Sequence, residues 1–317
     1  MKEKEIGKGR KILNSIRAML RAIEKNCTFL FLSVLLLLSV LQLNELKKAN
    51  LSMERANERA NEITIDIRFT NAVTLLESNN TTSMLSGVDA LHRIAVECSR
   101  SGEEQKIYVK LVNDVLCACV RESAKTITDE EGRRERICTR PTVVIQAIID
   151  ALFKNKGDIY RKHKSDLSET VLHQINFSKA RLTNVRFDFA SLQNVWFNDA
   201  ILSDVSFMLT ELVTVVNFNN ASLKGVRFHE ATLSSINFIE TTLTNVWFDK
   251  AKIGWTDFYD VTFKNVSFND AVLTRISFQD RQYGYSKTTF SNVNFTDTKL
   301  AGYSYEEIIG NSYELTQ

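Results

Sequence analysis

The sequence predicts an α+β chain in which a transmembrane helix and a helical region precede a β-solenoid built from five-residue units. Three observations carry that expectation. An apolar residue recurs at almost every fifth position from Ile175 to Phe278, a single uncharged apolar run lies near the N-terminus, and helical spacing fills the region between. With 317 residues, 44% of them hydrophobic and a formal net charge of +2, the chain has the means to bury several cores and is not biased towards disorder.

Residues 1–26 read as a basic amphipathic N-terminal segment. Lys2, Lys4, Lys8, Arg10, Lys11, Arg17, Arg21 and Lys25 accompany Ile12, Ile16, Met19, Leu20 and Ile23 at helical spacing. Such a face suits either an anionic membrane surface or a neighbouring helix. Residues 27–43 follow as the expected transmembrane helix: Phe29 to Leu43, extended by Cys27 and Thr28, reaches about 17 residues, the lower limit for crossing a bilayer. No small-x-small cleavage site follows Leu43, so an uncleaved single-pass anchor is expected over a cleaved signal peptide or a buried helix. Fewer basic residues follow (Lys47, Lys48, Arg55 and Arg59) than precede, which puts the N-terminus in the cytoplasm and makes the lipid bilayer a partner.

Residues 44–62 read as a helical stalk. Leu46, Ala49, Met53, Ala56, Ala60, Ile63 and Ile67 alternate spacings of three and four, the seam of a coiled coil, thinned by its alanines. The seam either joins copies into a homo-oligomer through residues 46–67 or packs on the next domain. Residues 63–165 form the expected α-helical domain, with helices over 67–77, 83–98, 103–121 and 142–154, a polar and charged stretch from 124 to 140, and Pro141 where a helix can begin. Two such α-hairpins would cover the first coil of the solenoid. Cys98, Cys117, Cys119 and Cys138 lack paired C-x2-C zinc spacing, and on a helix Cys117 and Cys119 point to nearly opposite sides. Buried free thiols are therefore expected over a disulfide or a metal site. An exported domain would bring them to an oxidising compartment, which sits uneasily with the anchor's orientation.

Residues 166–303 hold the repeat. Its register runs through Phe177, Leu182, Phe187, Leu192, Phe197, Leu202, Phe207 and Leu212, slips by one residue, and continues from Phe218 to Phe278. All 21 positions are apolar, a match with a chance probability of roughly 10⁻⁷ to 10⁻⁸ on a template count. Two residues earlier sits a second apolar residue, Val185, Val195, Val205, Val226 and Val246 before Phe, or Ala180, Ala190, Ala200, Ala221 and Ala231 before Leu. Residues two apart share a face only on an extended chain, so the unit is strand-like. Five residues that point two side chains inward and then turn cannot bury them alone, and successive units must stack.

These residues resemble the pentapeptide-repeat family, whose unit is read in Ala180-Arg181-Leu182-Thr183-Asn184 and Val185-Arg186-Phe187-Asp188-Phe189. The resemblance covers about 130 of the 317 residues. It implies a right-handed quadrilateral β-helix, four pentapeptides to a coil, with Phe on two opposite sides and Leu on the other two. Asn184, Asn194, Asn245, Asn265 and Asn292 fall at corners, where Asn tolerates left-handed φ. Arg68 to Val73 and Leu91 to Ala95 resemble the helical region ahead of the repeats in bacterial membrane-linked members, which implies a place in the bacterial inner membrane. Two irregularities break the period. Val215-Val216-Asn217 adds one residue, expected to form a bulge that re-aims its neighbours. Residues 279–288, with Tyr283 and Tyr285, leave the register as a loop that is either a partner contact or a neutral insertion. Val293, Phe295, Leu300 and Tyr305 resume the pattern weakly, and residues 304–317 form a cap or tail that would protect the open β-edge.

No chemistry emerges. His92, His163, His173 and His229 are scattered, no Gly-rich phosphate loop occurs, and Asp188, Asp199 and Asp249 read as solvated coil surface. The expectation is a non-enzymatic protein with no cofactor and no metal. The family's best-understood members mimic DNA and bind topoisomerases, which requires an acidic rod, but residues 171–303 carry 12 acidic and 12 basic side chains. That disfavours the topoisomerase-binding alternative, and nucleic-acid binding lacks a counterion-release drive. What remains is a scaffold for an unknown protein partner. The outward position before each Phe places Asn176, Trp196, Asn217, Asn237 and Asp257 on one side and Arg186, Ser206, Arg227, Trp247 and Ser267 on the opposite one. Trp and Arg are enriched in binding hot spots, so Arg186, Arg227, Trp247 and Trp196, with loop residues Tyr283 and Tyr285, are the candidate contacts; the rival reading is aromatics that merely cover their neighbours.

Overall fold

The computed structural model describes the backbone of residues 2–102, 105–128, 134–154, 158–278 and 287–301. The chain divides into two units, residues 1–64 and 65–317. In the first, the backbone is helical throughout its described length as part of helix α1 (Lys2–Leu76). Leu46, Met53 and Ile63 of the heptad seam are exposed.

One sequence expectation fails in this unit. Among the described residues no helix is long and apolar enough to cross a membrane. The uncharged run at 27–43 would extend only about 25 Å at 1.5 Å per residue, against about 30 Å of hydrocarbon. It also contains Thr28, Ser33, Ser39 and Gln42 and runs directly into Asn44 and Glu45. The transmembrane helix is therefore withdrawn from the fold class. The inner-membrane location, the cytoplasmic N-terminus and the bilayer as partner rested on it and are withdrawn as well.

In the second unit the end of α1 buries Ile65, Ala72 and Leu76. Helix α2 (Thr81–Ser99) starts at Asn80, whose side chain accepts from the Ser83 amide at 3.0 Å, supplying one of the partners an N-terminus lacks. Its buried residues Met84, Val88, Leu91, Ala95 and Cys98 follow the 3.6-residue period. Helix α3 (Ile107–Glu122) is buried on two sides, so Cys117 and Cys119 are both enclosed although two residues apart. Helix α4 (Thr142–Phe153) begins after Pro141, held extended at ψ 134°. The polar stretch before it is an antiparallel hairpin, β1 (Ala124–Thr128) with β2 (Arg134–Cys138), in register from Ala124 opposite Cys138 to Thr128 opposite Arg134.

From Ser165 the chain coils with a 20-residue turn, four pentapeptides to the coil. The Leu-centred sides form parallel sheets: six strands from Arg181–Thr183 to Thr289–Asn294, and seven from Val171–His173 to Lys299–Ala301. The Phe-centred sides are joined by shorter pairings such as Arg186 with Ser206 and Asn176 with Trp196. Inside, the phenylalanines make two columns of stacked rings. Phe187 lies on Phe207 at 4.9 Å with planes 3° apart, and Phe197 on Phe218 at 4.7 Å and 2°, while rings of opposite columns meet edge-on, Phe197 against Phe207 at 6.0 Å and 88°. Both are favoured aromatic geometries. Where Thr210 and Thr241 replace the small inner residue, the hydroxyl donates to a main-chain carbonyl of the preceding coil, Phe187 and Phe218 respectively, each at 2.8 Å, which satisfies the buried group.

Every fifth residue turns the corner in the left-handed region, at φ 57° in Asn184, 52° in Asn194 and 54° in Asn245. The extra residue at 215 is absorbed in such a corner, where Thr214 and Val215 both have positive φ (52° and 57°). Because it lies outside the ladders, it re-aims no inner side chain and the Phe197–Phe218 stack is undisturbed. Beyond the insertion the repeat resumes fully: Phe290 stacks on Phe263 at 4.9 Å and Phe295 on Phe268 at 5.0 Å. The helical domain abuts the first coil through Phe153, whose ring stands 6.2 Å from Phe177.

Candidate interaction surface

The interior is filled, so whatever this unit recognises meets its outer wall or the seam between helices and first coil. Arg186, Ser206, Arg227 and Trp247 stand in one column, each paired across the ladder with the next. Arg227 is exposed and Trp247 half-buried. Arg186 is committed to its own chain. Its Nε and Nη2 donate to the two carboxylate oxygens of Asp166 at 3.0 and 2.7 Å, a bidentate geometry. Burial pushes the Asp166 carboxyl up, but these bonds and those from Ser168 prevail and hold it at about 2. Trp196 is half-buried in the opposite column, between Asn176 and Asn217. Tyr283 and Tyr285 lie outside the described residues.

The carboxylates of this wall are structural. Asp188 accepts from Ser206 Oγ at 2.5 Å and the Met208 amide at 3.1 Å. Asp249 accepts from Ser267 Oγ and from the Asn269 amide at 3.1 Å. Each clamps one coil to the next, where solvated surface was expected. Asp199, by contrast, is exposed at a corner, as expected.

Residues that sequence reasoning missed stand at corners. Along one edge the left-handed position is Glu169, Phe189, Leu209, Glu230, Lys250, Asp270 and Asp297. Phe189 is 53% exposed and Leu209 40%, in adjacent coils joined by a bond from the Phe189 amide to the Met208 carbonyl, and Met208 is itself 37% exposed. Phe189 also rims a cleft of about 800 Å³ lined by Arg121, Arg136, Asp166, Glu169 and Arg186. Arg136, from β2, donates to the main-chain carbonyls of Phe189 and Glu169, fixing hairpin to corner. A second aromatic corner is Trp255, 54% exposed, with the Arg275 guanidinium 4.1 Å over its ring. The signal was present: large apolar residues at the one pentapeptide position that in most other units carries a polar residue such as Asn, Asp, Glu or Lys.

Cys98, Cys117, Cys119 and Cys138 are free. Burial pushes the Cys117 thiol up to about 12 and that of Cys119 to about 11, the behaviour of structural thiols. Among the described residues no group of His, Cys, Asp or Glu is placed to hold a metal.

A filled four-sided solenoid that follows a helical region defines the class of β-solenoid repeat proteins. Residues 212–287 match the family model for a pentapeptide repeat region and residues 165–204 the model for pentapeptide repeats in eight copies. These residues are pentapeptide repeats. Among curated proteins none matches the chain. Solved structures similar to it include a pentapeptide repeat protein from the Arabidopsis thaliana thylakoid lumen, at 19% identity and a TM-score of 0.24, covering 32% of this chain and 59% of that one. The plasmid-mediated fluoroquinolone resistance protein QnrB1 is 16% identical with a TM-score of 0.21 over 46% of this chain and 79% of its own. HetL of the cyanobacterium Nostoc is 12% identical with a TM-score of 0.13 over 46% and 94%. This chain thus spans less than two thirds of the Arabidopsis protein, and scores this low support no functional comparison.

Proposed function

We propose that this protein is a non-enzymatic scaffold that presents its solenoid wall to a protein partner, with Phe189, Leu209 and Met208 as the apolar anchor and Arg227 and Trp247 of the same wall as flanking contacts. The observation that carries this reading is the pair Phe189 and Leu209. A left-handed backbone costs a residue with a Cβ about 1–2 kcal/mol, and exposing two large side chains gives nothing back within the chain. Neighbouring coils solve the same corner with Glu230 and Lys250. Large exposed apolar groups beside a polar rim mark interaction sites. Trp196 and the loop holding Tyr283 and Tyr285 remain secondary contacts in this proposal. The seam at Leu46, Met53, Ile63 and Ile67, all exposed, is assigned to a second copy of the chain, and sedimentation of wild type against Met53→Glu tests that assignment.

Affinity capture with the full chain, comparing wild type with Leu209→Asp and Trp247→Ala, tests the wall: a specific partner should be recovered with wild type and lost with the variants at unchanged Tm. Identical capture by all three would refute it. Topoisomerase inhibition as a DNA mimic is the rival reading, opposed by the balanced charge of the repeats; a supercoiling assay in which micromolar protein arrests gyrase would replace the scaffold reading with it.

A further inference from the structure

A second cleft, of about 550 Å³, opens where α3 meets the segment entering the first coil, and it is lined by Lys110, Asp114, Cys117, Arg121, Lys162, His163, Lys164, Asp166 and Asn184. Its charge is one-sided once pairs are assigned. Asp114 is taken by Lys110 at 2.5 Å. Asp166 is taken by Arg186, with Arg121 farther off at 3.8 Å. Lys162 and Lys164 have no ion pair among the described residues, and Arg121 spends one hydrogen bond on the Asp166 main-chain carbonyl. The repeats are electrically balanced, so this local excess of about three positive charges stands out.

The backbone that carries the lysines is also held in place. Asn113, fully buried in α3, donates to the Lys164 carbonyl at 3.0 Å and accepts from Ser165 Oγ at 2.7 Å. The Arg121 bond fixes the next residue, and His163 is tied back by its amide to the Tyr160 carbonyl at 2.8 Å. The run from Lys162 to Lys164 is thus pinned to α3 at one end of the cleft, with Arg121 at its wall. A fixed Arg fork flanked by ammonium groups suits a compact multivalent oxyanion.

We infer that this cleft is a binding site for a phosphate monoester, held by Arg121, Lys162 and Lys164. A phosphate monoester carries about −1.5 to −2 charges and three acceptor oxygens, enough to answer three cations where a single carboxylate would not. The group could be carried by a small molecule or by a phosphorylated protein segment. It shares Arg121 and Asp166 with the cleft that Phe189 rims, but Lys162 and Lys164 line this one alone, so the two readings are tested through different residues.

The test uses the full chain. Phenyl phosphate and a phosphoserine peptide are titrated separately, binding being followed by the ³¹P NMR shift and by Tm, with sodium chloride at matched ionic strength as control. Saturable binding is expected, weakened at least tenfold by Lys162→Glu/Lys164→Glu; both side chains are exposed and unpaired among the described residues, so Tm without ligand should not move. Tighter binding of the peptide would assign the group to a protein, and tighter or equal binding of phenyl phosphate to a small molecule. No saturable shift with either probe, an effect matched by chloride, or binding indifferent to the charge reversal would overturn the site. If the reversal destabilises the chain, Lys162→Gln/Lys164→Gln serves the same comparison.

Discussion

Phe290 lies face to face on Phe263, 4.9 Å away with planes 4° apart, although 27 residues separate them where the solenoid's turn takes 20, or 21 across the extra residue at 215. The stack shows that this turn closes in the same register as the others despite its seven surplus residues. Removing residues 281–287 should therefore leave Asp280 at the corner that Asp260 fills one turn earlier. Loop length affects stability only slowly, so the shortened chain should unfold cooperatively within about 1 kcal/mol of wild type. Its partner binding, measured alongside, decides whether Tyr283 and Tyr285 contribute. Loss of the cooperative transition would show that the insertion is part of the fold.

The inner half of this architecture was legible because burial constrains it. A ring column tolerates only Phe, and the five-residue period exposes it without ambiguity. The Val215 slip was legible as an irregularity, but its consequence was not, since a corner absorbs the extra residue outside the ladders. The hairpin escaped notice because its strands pair Ile127 with Glu135 and Thr126 with Arg136, giving no run of alternating apolar residues. The apolar run at 27–43 misled for a related reason: its hydropathy was legible, but its length only touches the lower limit for a bilayer, and among the described residues no helix is long and apolar enough to cross one. The exposed side chains of Phe189 and Leu209 were written in the sequence too, but at the corner two residues after a Phe and not at the outward position before it.

Gly87 marks the tightest approach in the helical domain. A Cβ there would stand 2.6 Å from the Leu76 amide nitrogen and 2.8 Å from the Ala72 carbonyl oxygen, both backbone atoms. Alanine would gain about 1 kcal/mol in helix propensity, yet forcing α1 and α2 apart costs about 1–3 kcal/mol as overpacking does. Gly87→Ala should therefore lower Tm by roughly 2–6 °C. An increase in Tm on a calorimetric scan would mean that the helices have room to part.

Phe189 and Leu209 should behave oppositely for stability and for binding. Asn adopts the left-handed backbone at lower cost than Phe or Leu. Phe189→Asn/Leu209→Asn is expected to leave Tm unchanged or raise it by a few degrees while abolishing partner capture, the trade common at functional sites. A clear fall in Tm would show that the two side chains serve the fold, and the anchor would have to be sought elsewhere, with Trp255 the next corner to test.

The Asp166–Arg186 pair gives a dependence on pH with a defined sign. Burial pushes the Asp166 carboxyl up, yet the Arg186 guanidinium and the Ser168 bonds bring it to about 2, below the value near 3.9 of an unfolded aspartate. A carboxyl depressed in the folded state stabilises fully above the unfolded value and loses that contribution as pH falls through the folded one. The Tm gap between wild type and Arg186→Gln should accordingly be constant from about pH 5 to 8, shrink below about pH 4 and approach zero near pH 2. A gap that persists undiminished at about pH 2.5 would mean that Arg186 stabilises through packing on the wall, with its charge incidental.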